Sequence, residues 1–454
     1  MTRKEVLLLL AYLEKTFPVW DWRYGSIEIW PLIKRDIFFI FFNQKEKKQS
    51  PTESKSSRTL IRIYNICNSL LYFLKIKFRK KGKVATFYCG SAAHRVDFQS
   101  NFINRYFFPY IQNLKETEYI QYEYGPVLKN KNYKNEKSIV YASELYTIFN
   151  LFRRFKSQPN LNLFKWDEFH SCILERSGLD LNTYYKRLPV RLESLMVYAD
   201  ISSFLIKKYQ PKEVIGLCYY NNSMFAMHYM ANKMGIENLD VQHGGQGSLH
   251  SMYTFTNLPK GGSNMIPKTF WCWDQVSANH ILSWLGSQNY HHVEVNGNPW
   301  IEFQLKKFSS QDDLSKQKII LYTLQEKELE EYILQAIKLT PKEFVWWIRL
   351  HPRMLDAQAI IESQLENIGC KDKVEISKAT NYPLPVLLEK SYVHLSKFSG
   401  SIIEAVLVNT PNIIIDEVGL EIYKDYVDNQ DASVVLTKNA DDLLKSILEI
   451  EGNI

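Results

Sequence analysis

The sequence predicts an α/β protein built from two Rossmann-like parallel-sheet domains facing a cleft, preceded by an N-terminal helical extension. Three observations carry this expectation. Apolar runs without alternation, such as Lys318-Ile319-Ile320-Leu321-Tyr322-Thr323-Leu324 and Phe344-Val345-Trp346-Trp347-Ile348-Arg349-Leu350, suit parallel strands covered on both faces. Each run leads into a glycine, serine or His-Pro turn and then an apolar-periodic helix, the order of a βα unit. A polar stretch at 300–317 separates two series of such units, and 454 residues suffice for two cores.

Composition narrows the class. Hydrophobic residues make up 45% and charged residues 23%, as in ordinary globular proteins. The six cysteines are far apart, with no CxxC pair and no spacing suited to zinc, which favours reduced thiols in a cytoplasmic protein. The apolar run at 7–10 is short and lacks a cleavage pattern, and no segment reaches the roughly 18 uncharged apolar residues of a spanning helix. The net charge of +7 concentrates in a basic cluster within residues 75–83. One cluster without a recognised module does not point to nucleic acid.

Taken in order, residues 1–42 read as two helices broken near Phe17-Pro18. The second piece is rich in Trp and Phe, which suits either a membrane-interface helix or one packed on the first domain. Residues 43–58 read as a mobile linker. The apolar segment 60–74 then runs into Lys75, Lys77, Arg79, Lys80, Lys81 and Lys83. Apolar helix followed by cations is the pattern of a peripheral anchor on an anionic membrane surface; it also suits a solvated helix C-terminus. The extension is therefore assigned to 1–83.

The first sheet domain is assigned to 84–303. Its strands are expected at 84–88, 213–217, 239–241, 269–273 and 292–295, with helices at 223–234 and from 277, and residues 118–212 mostly helical. The second is assigned to 318–437, with strands at 318–324, 344–350, 392–395 and 412–415 and helices at 327–339, 355–367 and 402–408. A final helix within 438–454 is expected to pack back across the boundary.

Ligands of open parallel sheets bind beyond the carboxyl ends of the strands. Candidate groups therefore fall on Gly90, His94 and Arg95 after the first strand, with Asp97 close by. Gln242, His243 and Gly244 form a second strand end, and Asn298 lies in the Val-Asn-Gly-Asn-Pro turn at 295–299. In the second domain Arg349, His351, Pro352 and Arg353 leave one strand. The turn carrying Ser396, Ser399, Gly400 and Ser401 leaves another, with Glu404 one helical turn on. Hydroxyls, backbone N–H groups and cations at such ends suit a phosphate. No Asp-x-Asp pair occurs, so neither an essential metal nor a cofactor is expected.

The ordered set of Gln-His-Gly at 242–244, His-Pro-Arg at 351–353 and the serine turn at 396–401 resembles bacterial surface-polysaccharide glycosyltransferases of the GT-B fold. It is most similar to capsule and lipopolysaccharide enzymes that use CMP-activated sugars, over about residues 84–437. The segment 22–35 also looks like the start of uncharacterised proteins from the same gene-cluster context. The resemblance implies that His351, Pro352, Ser399 and Ser401 bind the nucleotide phosphate. Arg349 and Arg353 would add charge, and Glu404 would accept from ribose. His243 is then the first candidate for the catalytic base and Asp97 the second, with a glycan or lipid-linked acceptor as partner. A CDP-alditol phosphotransferase of teichoic-acid type and a non-catalytic polysaccharide-assembly protein are the alternatives. The Gly-Thr-Arg-Pro turn expected of a sugar-nucleotide 2-epimerase is absent after residues 84–88, where the chain reads Cys89-Gly90-Ser91.

Overall fold

The computed structural model describes residues 1–42, 55–80, 82–308, 314, 316–351 and 354–450. The chain divides into two compact units, Met1–Asn296 and Gly297–Ile454. The helix Pro299–Phe308 thus groups with the second unit rather than with the first, as the sequence had placed its start.

In the first unit, β1 (Thr86–Gly90), β2 (Tyr119–Glu123), β3 (Ile139–Tyr141), β4 (Glu213–Leu217), β5 (Glu237–Val241), β6 (Thr269–Cys272) and β7 (His292–Val295) form one parallel sheet. Its order is β7-β6-β5-β4-β1-β2-β3. Strand order therefore reverses between β1 and β4, as in a doubly wound Rossmann sheet. β2 and β3 lie in the stretch the sequence predicts to be mostly helical. Every residue of β2 is buried, including Gln121 and Glu123, so it shows none of the alternation or purely apolar character that marks a strand. An antiparallel hairpin, Arg95–Phe98 with Asn101–Asn104, follows β1.

The second unit repeats the plan. β8 (Lys318–Leu324), β9 (Phe344–Leu350), β10 (Val374–Glu375), β11 (Val393–Ser396), β12 (Asn412–Ile414) and β13 (Ser433–Val434) form a parallel sheet. The order is β10-β9-β8-β11-β12-β13, reversing between β8 and β11. Ile319 and Leu321 pack into one layer while Ile320, Tyr322 and Leu324 pack into the other, so β8 buries apolar side chains on both faces. The helix Ala440–Leu448 packs within this unit, placing Leu443, Leu444 and Ile447 in the same core as Ile333 and Ile337.

The N-terminal segment is part of the first unit's core. Helices Arg3–Thr16 and Trp30–Phe42 flank two short strands, Arg23–Tyr24 and Ile27–Glu28. Trp22 is fully buried against Trp30, Trp166 and Phe169, with ring centroids 4.8–5.8 Å apart. Packing thus accounts for Trp22 and Trp30, whereas Phe39 and Phe42 at the end of the second helix are exposed. Of the linker 43–58, residues 43–54 lie outside the described residues, and 55–58 already belong to the helix Lys55–Phe78.

A buried ion pair ties this segment down. Glu14 accepts from Lys34 Nζ at 2.8 Å, from Trp30 Nε1 at 2.7 Å and from the Thr256 backbone at 2.7 Å. Both charged side chains are almost fully buried. Glu14→Gln should therefore strand an uncompensated ammonium and cost about 3–5 kcal/mol. Urea unfolding followed by tryptophan fluorescence measures it, and a loss below ~1 kcal/mol would mean that the pair is not holding the segment.

Candidate functional site

A doubly wound sheet leaves its crevice where strand order reverses, so each unit presents one such place. In the first unit, β1 ends at Gly90. A Cβ there would lie 2.4 Å from Asn104 Nδ2, so glycine lets the hairpin approach the strand end. The Ser91 N–H donates to His94 Nδ1 at 3.2 Å, which places any proton of a neutral His94 on Nε2. β4 ends before Tyr220, whose hydroxyl lies 3.4 Å from His243 Nε2 at the end of β5. The His94 and His243 rings meet edge-on at 5.6 Å. The Tyr220 and His250 rings are 5.1 Å apart, and those of His250 and Tyr253 are 4.7 Å apart.

Below this nest, Asp240 accepts from the Tyr253 hydroxyl at 2.6 Å and from the Tyr219 N–H at 3.1 Å. Burial pushes its carboxyl up to about 8, against the pull of those two donors. Arg105 Nη2 donates to the Tyr106 hydroxyl at 2.7 Å, which in turn donates to the His243 carbonyl at 3.0 Å. Burial pushes His243 down to about 4 and His250 to about 3, and holds His94 well below the usual imidazole range. At neutral pH the three rings are uncharged. His243 is then in the protonation state of a base, though weakly basic until an anionic ligand raises its pKa.

Other expected groups of this unit have structural duties. Arg95 is buried, pairs with Glu123 at 2.7 Å, and also donates to Gln121 and the Phe102 carbonyl. Gln242 is buried, donating to Ser277 and the Gly244 carbonyl while accepting from the Trp273 N–H. Asp97 stands on the hairpin as an exposed partner of Lys131. Gly244 has open space around its Cα. The structure thus brings His94 and His243 together with Tyr220, His250 and Tyr253, which sequence reasoning did not single out. The available signal was Tyr219-Tyr220, directly beyond a recognised strand.

In the second unit the reversal is organised by Thr323 near the end of β8. Its Oγ1 lies 2.9 Å from His394 Nε2, 3.0 Å from Ser396 Oγ and 2.9 Å from Ser401 Oγ. Just past β8, Gln325 Oε1 accepts from the Lys397 and Phe398 N–H groups at 3.1 and 3.2 Å. Ser399 Oγ accepts from the Ser401 N–H at 3.2 Å. Ser396 and Ser401 are therefore buried braces, whereas Ser399 is half-buried and Gly400 exposed. Lys397 is buried between Glu326 and Glu330, at 2.6 and 2.7 Å.

Arg349 donates to the carbonyls of Ala379 and Tyr382 at 2.7 and 2.5 Å. Burial lowers its pKa to about 10, with the Glu404 charge acting the other way. His351 is exposed at the end of β9. Pro352 and Arg353 lie outside the described residues. Asn298 Oδ1 accepts from the Trp300 N–H at 3.0 Å, which makes it the cap of the helix Pro299–Phe308. Among the described residues no cluster of three His, Cys, Asp or Glu side chains is arranged to hold a metal ion.

No family model and no curated protein matches the chain. Among solved structures it is similar to the UDP-GlcNAc 2-epimerase of Methanocaldococcus jannaschii, at 16% identity and a TM-score of 0.45 over 82% of this chain and 93% of that one. It is likewise similar to the UDP-GlcNAc 2-epimerase of Neisseria meningitidis bound to UDP-GlcNAc, at 15% identity and 0.48 over 81% and 91%. Both scores lie below 0.5, so the fold assignment stands on strand order and register alone. It is a pair of Rossmann-like parallel sheets.

Because His250 is held neutral, acid should destabilise the first unit. Its folded pKa of about 3 lies below the unfolded imidazole value, so its stabilising contribution is full above about 6.5 and is lost as pH falls towards 3. Between pH 7 and 5 this one ring contributes roughly 1–2 kcal/mol of lost stability. His250→Gln removes the titrating group, so urea midpoints at the two pH values should differ less than in the parent. An unchanged difference would mean that the ring titrates normally.

Proposed function

We propose that this protein is a glycosyltransferase that moves a sugar from a nucleotide-activated donor, a CMP-sugar first among them, to a growing bacterial surface polysaccharide or lipid-linked glycan. The observation that carries this reading is the second unit's reversal point. There Gln325 and Thr323 pin the serine turn beside β8 and leave Ser399 and Gly400 at the surface, while His351 is exposed at the end of β9, the strand on the other side of β8. When a glycosidic bond to a nucleotide breaks, negative charge grows on the departing phosphate. Donors fixed beforehand lower that barrier without reorganising. Ser399 and His351 are assigned to the phosphate and Glu404 to the ribose hydroxyls. Arg349, tied to two carbonyls, supplies field rather than a free fork. In the first unit, neutral His243 with Tyr220 and His94 is assigned to the acceptor hydroxyl.

Ser399→Ala and His351→Ala should each weaken nucleotide binding about ten- to a hundredfold, the worth of one charge-assisted hydrogen bond. Ser401→Ala, which removes a partner of Thr323, should instead lower stability by about 1 kcal/mol. Calorimetry against CMP, CDP, UDP and GDP, with melting temperatures of the same variants, separates the two effects. Unchanged affinity in both surface variants would remove the nucleotide site. Product analysis by NMR then decides the reaction. Transfer of alditol phosphate from a CDP donor, or epimerisation of UDP-GlcNAc without an acceptor, would replace the transferase assignment.

A further inference from the structure

The helix Lys55–Phe78 has two apolar faces, and only one is covered. Ser69 and Ile76 are buried, and Phe73 meets Phe149 at 5.8 Å and Phe204 at 5.3 Å. The Ser69 hydroxyl donates to the Glu144 carbonyl at 2.7 Å and accepts from the Ile148 N–H at 3.0 Å, which fixes the roll of the helix on its neighbour Ala142–Arg153. Ile63, Tyr64, Leu70, Leu71, Leu74 and Phe78 recur at three- and four-residue spacing on the opposite side. All six are exposed, Leu71 by 66% and Phe78 by 71%. A contiguous exposed apolar stripe of this kind marks an interaction surface rather than ordinary scatter.

Charge says what covers it. The stripe ends among Lys75, Lys77 and Lys80, all exposed. Beside them lies a cavity of about 510 Å³ whose lining includes Lys75, Arg79, Lys80 and Lys137 against Glu116 and Glu136. Four cations face two carboxylates, and Arg79 Nη1 is buried there with no acceptor in hydrogen-bond geometry. No helix of the described residues is long and apolar enough to cross a membrane. An apolar stripe with cations at its end fits a surface that is apolar at depth and anionic at its rim, which is the headgroup boundary of an anionic bilayer.

We propose that this helix lies in the surface of an anionic phospholipid bilayer, with Leu71, Leu74 and Phe78 among the acyl chains and a lipid phosphate in the Lys75–Arg79–Lys80–Lys137 cavity. The docking needs no nucleotide and stands apart from the catalytic assignment. Its test is co-sedimentation of the full chain with vesicles of phosphatidylcholine alone and of phosphatidylcholine with phosphatidylglycerol. The full chain should pellet only with the anionic vesicles, and less as salt rises. Lys75→Gln/Lys77→Gln/Lys80→Gln should weaken binding on the order of a hundredfold, about fivefold per cation. Leu71→Glu/Phe78→Glu should abolish it at an unchanged melting temperature. Equal pelleting with both lipids, or salt-independent binding, would overturn the proposal without reference to any variant. So would a melting temperature raised by inorganic phosphate with no vesicle binding. A dimer that Leu71→Glu/Phe78→Glu dissociates in sedimentation velocity, with vesicle binding intact, would assign the stripe to a second copy instead.

Discussion

Parallel strands cannot be joined by tight turns, and this constraint shapes everything functional in the molecule. Each crossover must pass over a face of the sheet, and the strand ends stay uncovered where successive crossovers take opposite faces. That happens between β1 and β4 in one unit and between β8 and β11 in the other. In the second unit the exposed end is kept in shape by one hydroxyl. Asn412 donates its amide to the Ile402 carbonyl, so its Oδ1 faces His394 Nδ1, which must carry the proton. His394 Nε2 is left as an acceptor for the Thr323 hydroxyl, and Ser401 can then donate back to Thr323. A β-branched residue holds this geometry because its χ1 is already restricted.

The fold was legible wherever burial was complete and apolar. β4, β8 and β9 have the bounds their residue runs suggest, because strands covered on both faces are mostly apolar, and β7 has its expected bounds although it is a largely exposed edge strand. β2 was illegible for the converse reason. Gln121 and Glu123 are buried at the cost of partners remote in sequence, Arg95 and Ser138, and no local pattern reveals such partners. The aromatic N-terminal segment posed a related ambiguity, since Trp beside Lys and Arg reads alike for an interface and for a core. The core reading holds because Lys34 finds Glu14 and Arg35 finds Asp36.

For the candidate sites, sequence showed where but not which. The expected strand ends lie within two residues of observed ones, with Gly90 and Ser396 inside strands rather than in the turns, yet the roles of neighbouring residues diverge once side chains are placed. Of the serine turn, Ser396 and Ser401 face inward to Thr323 and only Ser399 remains near the surface. Arg95 was expected to line the acceptor side of the cleft and is paired with Glu123. His250 and Tyr253 escaped attention because they come from the loop after β5, and only folding brings them beside Tyr220. The protonation state of the histidines was likewise beyond sequence, since burial is its largest cause and neighbouring charges from distant segments add to it.

The two reversal points differ in electrical character, and that difference bears on what each can hold. The first is lined by uncharged imidazoles and phenols, whose hydrogen-bonding edges and ring faces suit a neutral polyol. At neutral pH the rings would offer a phosphate neutral donors rather than charges, and Arg105 is the cation that acts on both His94 and His243. The second offers the Ser399 hydroxyl and Gly400 on a turn already braced from beneath, with His351 exposed and Arg349 half-buried at the end of β9. An anion there meets a hydroxyl that donates without titrating. Under the proposed transferase reading, the nucleotide is accordingly assigned to the second unit and the sugar acceptor to the first.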